Sequence, residues 1–221
     1  MTTLFPSGFP RLYPILDFEC VFPGGAAAVS ARRERLCGLV REVAETGVTL
    51  LQYRNKLDPD ELVLEDARAM RAAAPGMKLI LNDRVALVAA AEWDGVHVGQ
   101  EDCAAEDARR RLGAGAVLGF STHNESQVRR ADGDAVDYIA IGPVYRTASK
   151  LDTSPVIGVE GVARARALTR KPLVAIGGIN AGNAGAVYAA GADAVAVIAA
   201  VFGPGRSAAE SVREFLSGFA R

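Results

Sequence analysis

The stretch Thr49-Leu50-Leu51-Gln52-Tyr53-Arg54-Asn55-Lys56, followed at once by Leu57-Asp58-Pro59-Asp60-Glu61-Leu62, decides the fold. Its first half is a short apolar run of the kind that parallel strands buried on both faces require. Its second half carries helix-start signals: Asp58 as the cap, Pro59 in the first turn and Glu61 as the capping-box acid ahead of a helix over residues 62–74.

Working outward, the same unit recurs. Eight apolar runs, over residues 11–17, 49–54, 78–83, 95–99, 117–122, 138–143, 172–178 and 194–200, alternate with segments at helical spacing. Ser207 and Glu210 repeat the capping device before the last helix, which is expected to end near Phe219, and Gly47, Gly113 and Gly191 stand where helices end in positive φ. Eight strand-helix units in order predict a closed (β/α)8 TIM barrel, one domain over residues 1–221 with residues 1–10 as a short N-terminal extension. A doubly wound open sheet is the alternative.

Composition narrows the function. The 221 residues carry 25 Lys and Arg against 26 Asp and Glu, a formal net charge of −1. No global basic field would hold nucleic acid or an anionic membrane, so any anion site is local. The longest apolar runs fall short of the roughly eighteen residues of a spanning helix. Cys20, Cys37 and Cys103 form an odd set without metal-ligand spacing, and Met1 to Pro10 carries no signal-peptide pattern, so a reducing cytoplasm is expected. Self-association into a homo-oligomer is compatible with this composition.

In a barrel of this kind the chemistry gathers at the C-terminal ends of the strands. After the second run, the period of two puts Gln52, Arg54 and Lys56 on one side, a set of donors suited to a di- or polyphosphate, or else a solvated strand end. By the same phase Asn55 points away and should matter less. Asp83 and Asp102 follow the third and fourth runs, where they can serve as carboxylates for Mg²⁺ beside a polyphosphate or as N-caps. His97 points into the barrel mouth or sits as a satisfied core histidine, and His123 follows Ser121-Thr122. The loop Tyr145-Arg146-Thr147-Ala148-Ser149-Lys150 offers hydroxyls and cations for an anion, or a mobile lid. Gly177, Gly178 and the Ile198-Ala199-Ala200 turn suit the phosphate site usual after strands seven and eight. Two anion sites, one of them metal-assisted, suggest the joining of two phosphorylated partners.

Gln52-Tyr53-Arg54-Asn55-Lys56, Asn82-Asp83-Arg84, Gly95-Val96-His97-Val98-Gly99-Gln100-Glu101-Asp102, Gly142-Pro143-Val144-Tyr145 with Thr147 and Lys150, and Ala175-Ile176-Gly177-Gly178-Ile179 together resemble the thiamine phosphate synthase family, in order from about Tyr13 to Phe202. The resemblance implies a transferase that joins 4-amino-2-methyl-5-hydroxymethylpyrimidine diphosphate to a thiazole phosphate, giving thiamine phosphate and pyrophosphate with Mg²⁺ as cofactor. It implies Gln52, Arg54, Lys56 and Asn82 on the pyrimidine diphosphate, Asp83 and Asp102 on magnesium, and Ser121 and Lys150 near the diphosphate. It further implies His97 near the pyrimidine, and Thr147, Ser149, Gly177, Gly178, Ile198 and Ala199 around the thiazole phosphate, with Arg54, Lys56 and Lys150 stabilising the departing charge. The chain departs from the family at Arg146, where a proline is usual, at Ser149 for threonine and at Ala199 for serine. A thiazole tautomerase with the same barrel, and a non-catalytic sensor of thiamine precursors, are the competing functions.

Overall fold

The computed structural model describes residues 5, 8–25, 28–147 and 154–218. Eight parallel strands close on themselves: β1 (Leu12–Asp17), β2 (Leu50–Arg54), β3 (Lys78–Asn82), β4 (Gly95–Val98), β5 (Val117–Thr122), β6 (Tyr138–Ile141), β7 (Leu173–Ile176) and β8 (Ala194–Val197). β1 pairs with β2 on one side and with β8 on the other, Leu12 opposite Val195, so the barrel has no edge and the open sheet is set aside. Most apolar runs in the sequence extend one to three residues past their strands: the chain leaves the sheet at Asp83, at the glycines Gly99, Gly142 and Gly177, and at Ile198, where it turns into the next helix.

Period-two alternation divides the apolar residues into two cores. Tyr13, Ile15, Leu50, Ile80, Tyr138, Val174 and Ala196 fill the barrel interior. Leu12, Leu16, Leu51, Leu79 and Leu81 face outward beneath the helices α2 (Val29–Ala44), α3 (Asp60–Ala73), α4 (Ala105–Leu112), α5 (Glu125–Gly133), α6 (Gly158–Arg166), α7 (Ala184–Ala189) and α9 (Ala208–Gly218). The short helices α1 (Phe18–Val21) and α8 (Ala199–Phe202) follow β1 and β8. Among the described residues no helix is long and apolar enough to cross a membrane. Phe5 and Phe9, in the N-terminal extension, pack on the interior core, the Phe9 ring centroid lying 5.1 Å from that of Tyr138.

Two capping expectations part company. Ser207 and Glu210 form the reciprocal box, the Glu210 N–H donating to Ser207 Oγ and the Ser207 N–H to Glu210 Oε2. Asp58 does not cap α3: Pro59 takes that place in extended geometry, and the Asp58 carboxylate is taken by Asn55 and Arg32 instead. Gly47, Gly113 and Gly191 all adopt positive φ.

At the N-terminal ends of the strands one device appears three times. Asp94, Asp137 and Asp193, each just ahead of an even-numbered strand, accept from the backbone N–H of Leu79, Leu118 and Leu173 at 2.8, 2.7 and 2.7 Å. Each carboxylate also pairs with an arginine from a preceding helix: Arg71, Arg109 or Arg166. These arginines spend their remaining N–H groups on loop carbonyls, tying helix, loop and strand together on the face away from the strand ends that carry the polar motifs.

Candidate active site

Residues from the ends of β2 to β5 line a cavity of about 570 Å³ that includes Arg54, Lys56, Asn82, Asp83, His97, Asp102 and Ser121. Arg54 is anchored by the buried Asp17 at the end of β1, and Lys56 Nζ lies 2.9 Å from Asp83 Oδ2. Gln52 shares their phase but not their depth. It is buried one layer below, where its Nε2 donates to Tyr13 Oη at 3.0 Å. Asn55 does point out of the barrel, yet it is 5% exposed and frames the loop that carries Lys56. Its amide donates to Tyr53 Oη and Asp58 Oδ2, and its Oδ1 accepts from the N–H groups of Leu57 and Asp58, both at 3.1 Å. The expectation of a minor role for Asn55 is therefore revised.

Neither Asp83 nor Asp102 caps a helix. The short 3₁₀ turn after Asp83 starts without a side-chain cap bond, α4 begins after Ala104, and Asp102 Oδ2 accepts the Gly99 N–H at 2.8 Å. The two carboxyls interact directly. Burial, then the hydrogen bond with Asp102, push the Asp83 carboxyl above the usual carboxylate range despite Lys56. Burial acts upward on Asp102 as well, but the hydrogen bond from Asp83 and the Gly99 N–H outweigh it and hold Asp102 low. The two carboxyls thus shift one another in opposite directions, a conflict that a divalent cation would relieve. The described lining residues carry two cations, Arg54 and Lys56, against Asp83, Glu101 and Asp102, so a polyphosphate fits here only together with a cation that covers the carboxylates. No group of three or more His, Cys, Asp or Glu ligands forms among the described residues. Mg²⁺ takes one or two carboxylates and fills its shell with phosphate oxygens and water.

A buried hydrogen-bonded chain backs the cavity. Tyr13 Oη lies 2.9 Å from Tyr138 Oη, Tyr138 Oη 2.9 Å from His97 Nδ1, and His97 Nε2 2.7 Å from Ser121 Oγ. Gln52 donates to the Tyr13 end of this chain, and both ring nitrogens of His97 are engaged in it, Nδ1 with Tyr138 and Nε2 with Ser121. Gly119 makes this possible, since a Cβ there would stand 2.0 Å from Tyr138 Cζ.

A second cavity of about 440 Å³ lies at the ends of β5 to β8, lined by Arg146, Thr147, Gly177, Gly178, Asn180, Ile198 and Ala199 among others. Gly177 and Gly178 adopt φ of 105° and 64°, and a Cβ on either would meet the β6 loop at Pro143 or at the Arg146 carbonyl. The pair is therefore required by the crossing of that loop as well as by any anion. Ser149 and Lys150 lie outside the described residues. Ser121 and His123 line both cavities and form the wall between them.

Several lining groups carry little signal in the sequence. Asp17 had a usable one, its place at the end of the first strand. Gln100, whose Nε2 donates to the Ser121 carbonyl at 2.6 Å, and Ser154 stand on loops where no period points.

Comparison with known proteins agrees with this geometry. Residues 26–201 match a family model described as thiamine monophosphate synthase. The chain is 47% identical over 191 residues to the thiamine-phosphate synthase of Koribacter versatilis, covering 86% of this chain and 88% of that one. It is 42% identical over 177 residues to that of Moorella thermoacetica, covering 79% and 84%. Among solved structures, the thiamine phosphate pyrophosphorylase from Pyrococcus furiosus superposes with a TM-score of 0.79 at 29% identity, covering 95% of each chain. On sequence, fold and cavity geometry together, the chain belongs to the thiamine monophosphate synthase family.

Proposed function

We propose that the chain is a thiamine-phosphate synthase that condenses 4-amino-2-methyl-5-hydroxymethylpyrimidine diphosphate with a thiazole phosphate, releasing pyrophosphate. The observation that carries this reading is the pair of cavities that meet at Ser121 and His123. The reaction breaks the bond between the pyrimidine methylene carbon and a diphosphate oxygen, which leaves with the electron pair. It forms a bond from that carbon to the thiazole nitrogen.

In the first cavity Arg54, Lys56 and Asn82 hold the diphosphate, with the Ser121 hydroxyl beside it. Asp83 and Asp102 would hold Mg²⁺, which supplies neutralisation of the charge that grows on the departing oxygens. Gln52 and His97, held by the tyrosine chain, orient the pyrimidine. In the second cavity Thr147, with Gly177, Gly178, Ile198 and Ala199, receives the thiazole phosphate. The resemblance implies that Ser149 and Lys150, outside the described residues, also serve these anions. A methylene carbon placed at the shared wall faces the thiazole nitrogen from the other side, which is how this site spends binding energy on proximity. An electron-rich aminopyrimidine carries transient positive charge itself, so no protein nucleophile is needed. The three free cysteines fit a reducing cytoplasm.

Incubating both phosphorylated substrates with Mg²⁺ and separating the products tests the reading. Thiamine phosphate and pyrophosphate in equal amounts are expected. Isomerisation of the thiazole alone would instead identify a tautomerase, and binding without turnover a sensor.

A further inference from the structure

Arg84 directly follows Asp83, and nothing in the reaction as derived uses it. Its guanidinium reaches back to the neighbouring loop between β2 and α3. There Nη2 donates to the carbonyls of Asn55 at 3.0 Å and Asp58 at 2.7 Å, while Nη1 pairs with Asp60 at the start of α3. The Asn55 carbonyl belongs to the peptide bond that begins Lys56, so gripping it sets the direction in which Lys56 leaves the strand.

The other end of the contact is equally constrained. Asp83 has φ of 63°, and the Arg84 N–H donates to the Asn82 carbonyl at 2.8 Å while the Val85 N–H donates to the Asp83 carbonyl at 2.9 Å. Two successive three-residue turns of this kind, the first centred on a non-glycine residue at positive φ, persist only where surrounding contacts hold them. The Arg84 side chain supplies such contacts. It ties one loop carrying a cation to another carrying a carboxylate, whose tips meet at Lys56 and Asp83.

We propose that Arg84 is a positioning residue: its guanidinium clamps the β2–α3 loop to the β3 loop and so fixes Lys56 and Asp83 relative to one another. The inference rests on the assignment of the first cavity to the pyrimidine diphosphate. Lysine cannot replace arginine, since one ammonium matches neither the spacing of two carbonyls nor a simultaneous pair with Asp60.

Two measurements on the full chain test it. Without substrates, hydrogen exchange in Arg84→Ala should accelerate at the Leu57 and Asp58 amides, with protection of the β6 and β7 amides unchanged. With substrates, Arg84→Ala should lose up to about a hundredfold in kcat, raise KM for the pyrimidine diphosphate and leave KM for the thiazole phosphate unchanged. Added methylguanidinium should restore part of the loss. Arg84→Lys keeps the charge and is expected to fold while showing the same one-sided change in KM, so it carries the test if the alanine variant does not fold. Unchanged exchange at Leu57 and Asp58, or equal shifts in both KM values, would overturn the clamp. If the wild type made no thiamine phosphate while Arg84→Ala still lost protection at these amides, the functional reading would fail and the clamp would stand.

Discussion

Lys56 Nζ and Asp83 Oδ2 meet at 2.9 Å, a cation just past the end of β2 facing a carboxylate just past the end of the neighbouring β3. The contact joins the charge proposed for the diphosphate to a charge proposed for the metal in one electrostatic unit, so neither can be altered alone. Replacing Asp83 or Asp102 by alanine should cut turnover by about a hundredfold or more, because the charge on the departing oxygens is then left uncompensated. EDTA should do the same to the wild type. Full activity in EDTA would remove the metal from the mechanism.

Lys56→Ala should lower kcat without unfolding the chain, since its side chain ends in the cavity. Arg54→Ala should lower kcat and some stability with it, because the buried Asp17 loses its partner. Asn55→Ala should behave differently. It strips four hydrogen bonds from a buried position, so about 2 kcal/mol of stability should go together with activity. Urea unfolding beside steady-state kinetics separates the two patterns. An Asn55→Ala protein with wild-type stability would show that the loop frames itself by other means.

Ala199 is exposed to the second cavity beside Gly177 and Gly178, where a phosphate finds backbone donors but no hydroxyl from this position. Ala199→Ser should lower the apparent constant for the thiazole phosphate roughly tenfold, the effect of one well-placed charge-assisted hydrogen bond. The constant for the pyrimidine diphosphate should stay where it is. Varying each substrate in turn provides the check, and equal shifts in both constants would place the phosphate elsewhere.

On the opposite face, Asp137→Ala should leave kcat and both KM values intact while lowering stability by about 2 kcal/mol. It removes the acceptor of the Leu118 N–H and the partner of Arg109. Thermal unfolding measures the loss. Altered kinetics in this variant would mean that the two ends of the barrel are coupled.

The barrel was legible because both faces of its strands are buried, and short uninterrupted Val, Ile and Leu runs between helical segments suit few architectures besides a parallel sheet. The face on which Gln52, Arg54 and Lys56 lie was legible for a related reason, the strict period of a strand. What the period cannot express is depth, so Gln52 read as part of the mouth although it belongs to the layer below with Tyr13. Asn55 read as the less important neighbour because its phase points it away from the barrel mouth. Here it faces the buried set formed by Tyr53, Asp58, Arg32 and Asp66, groups scattered along the chain that only the packing of α2 and α3 brings together. Asp58 was misassigned for the same reason, its carboxylate having better partners than the end of a helix. The aspartates before β4, β6 and β8 were visible in the sequence, but their meaning depends on arginines contributed by neighbouring helices.

The wall shared by the two cavities has a pharmacological consequence. A single molecule that carries a diphosphate mimic and a phosphate mimic on a short rigid spacer would be held at both ends across Ser121 and His123, its second contact made at the high local concentration set by the first. Such a compound should exceed either half in affinity by a factor of roughly 10² to 10⁴. Lengthening the spacer should erode that gain, so a series of graded lengths would serve as a ruler for the distance at which the two substrates are joined.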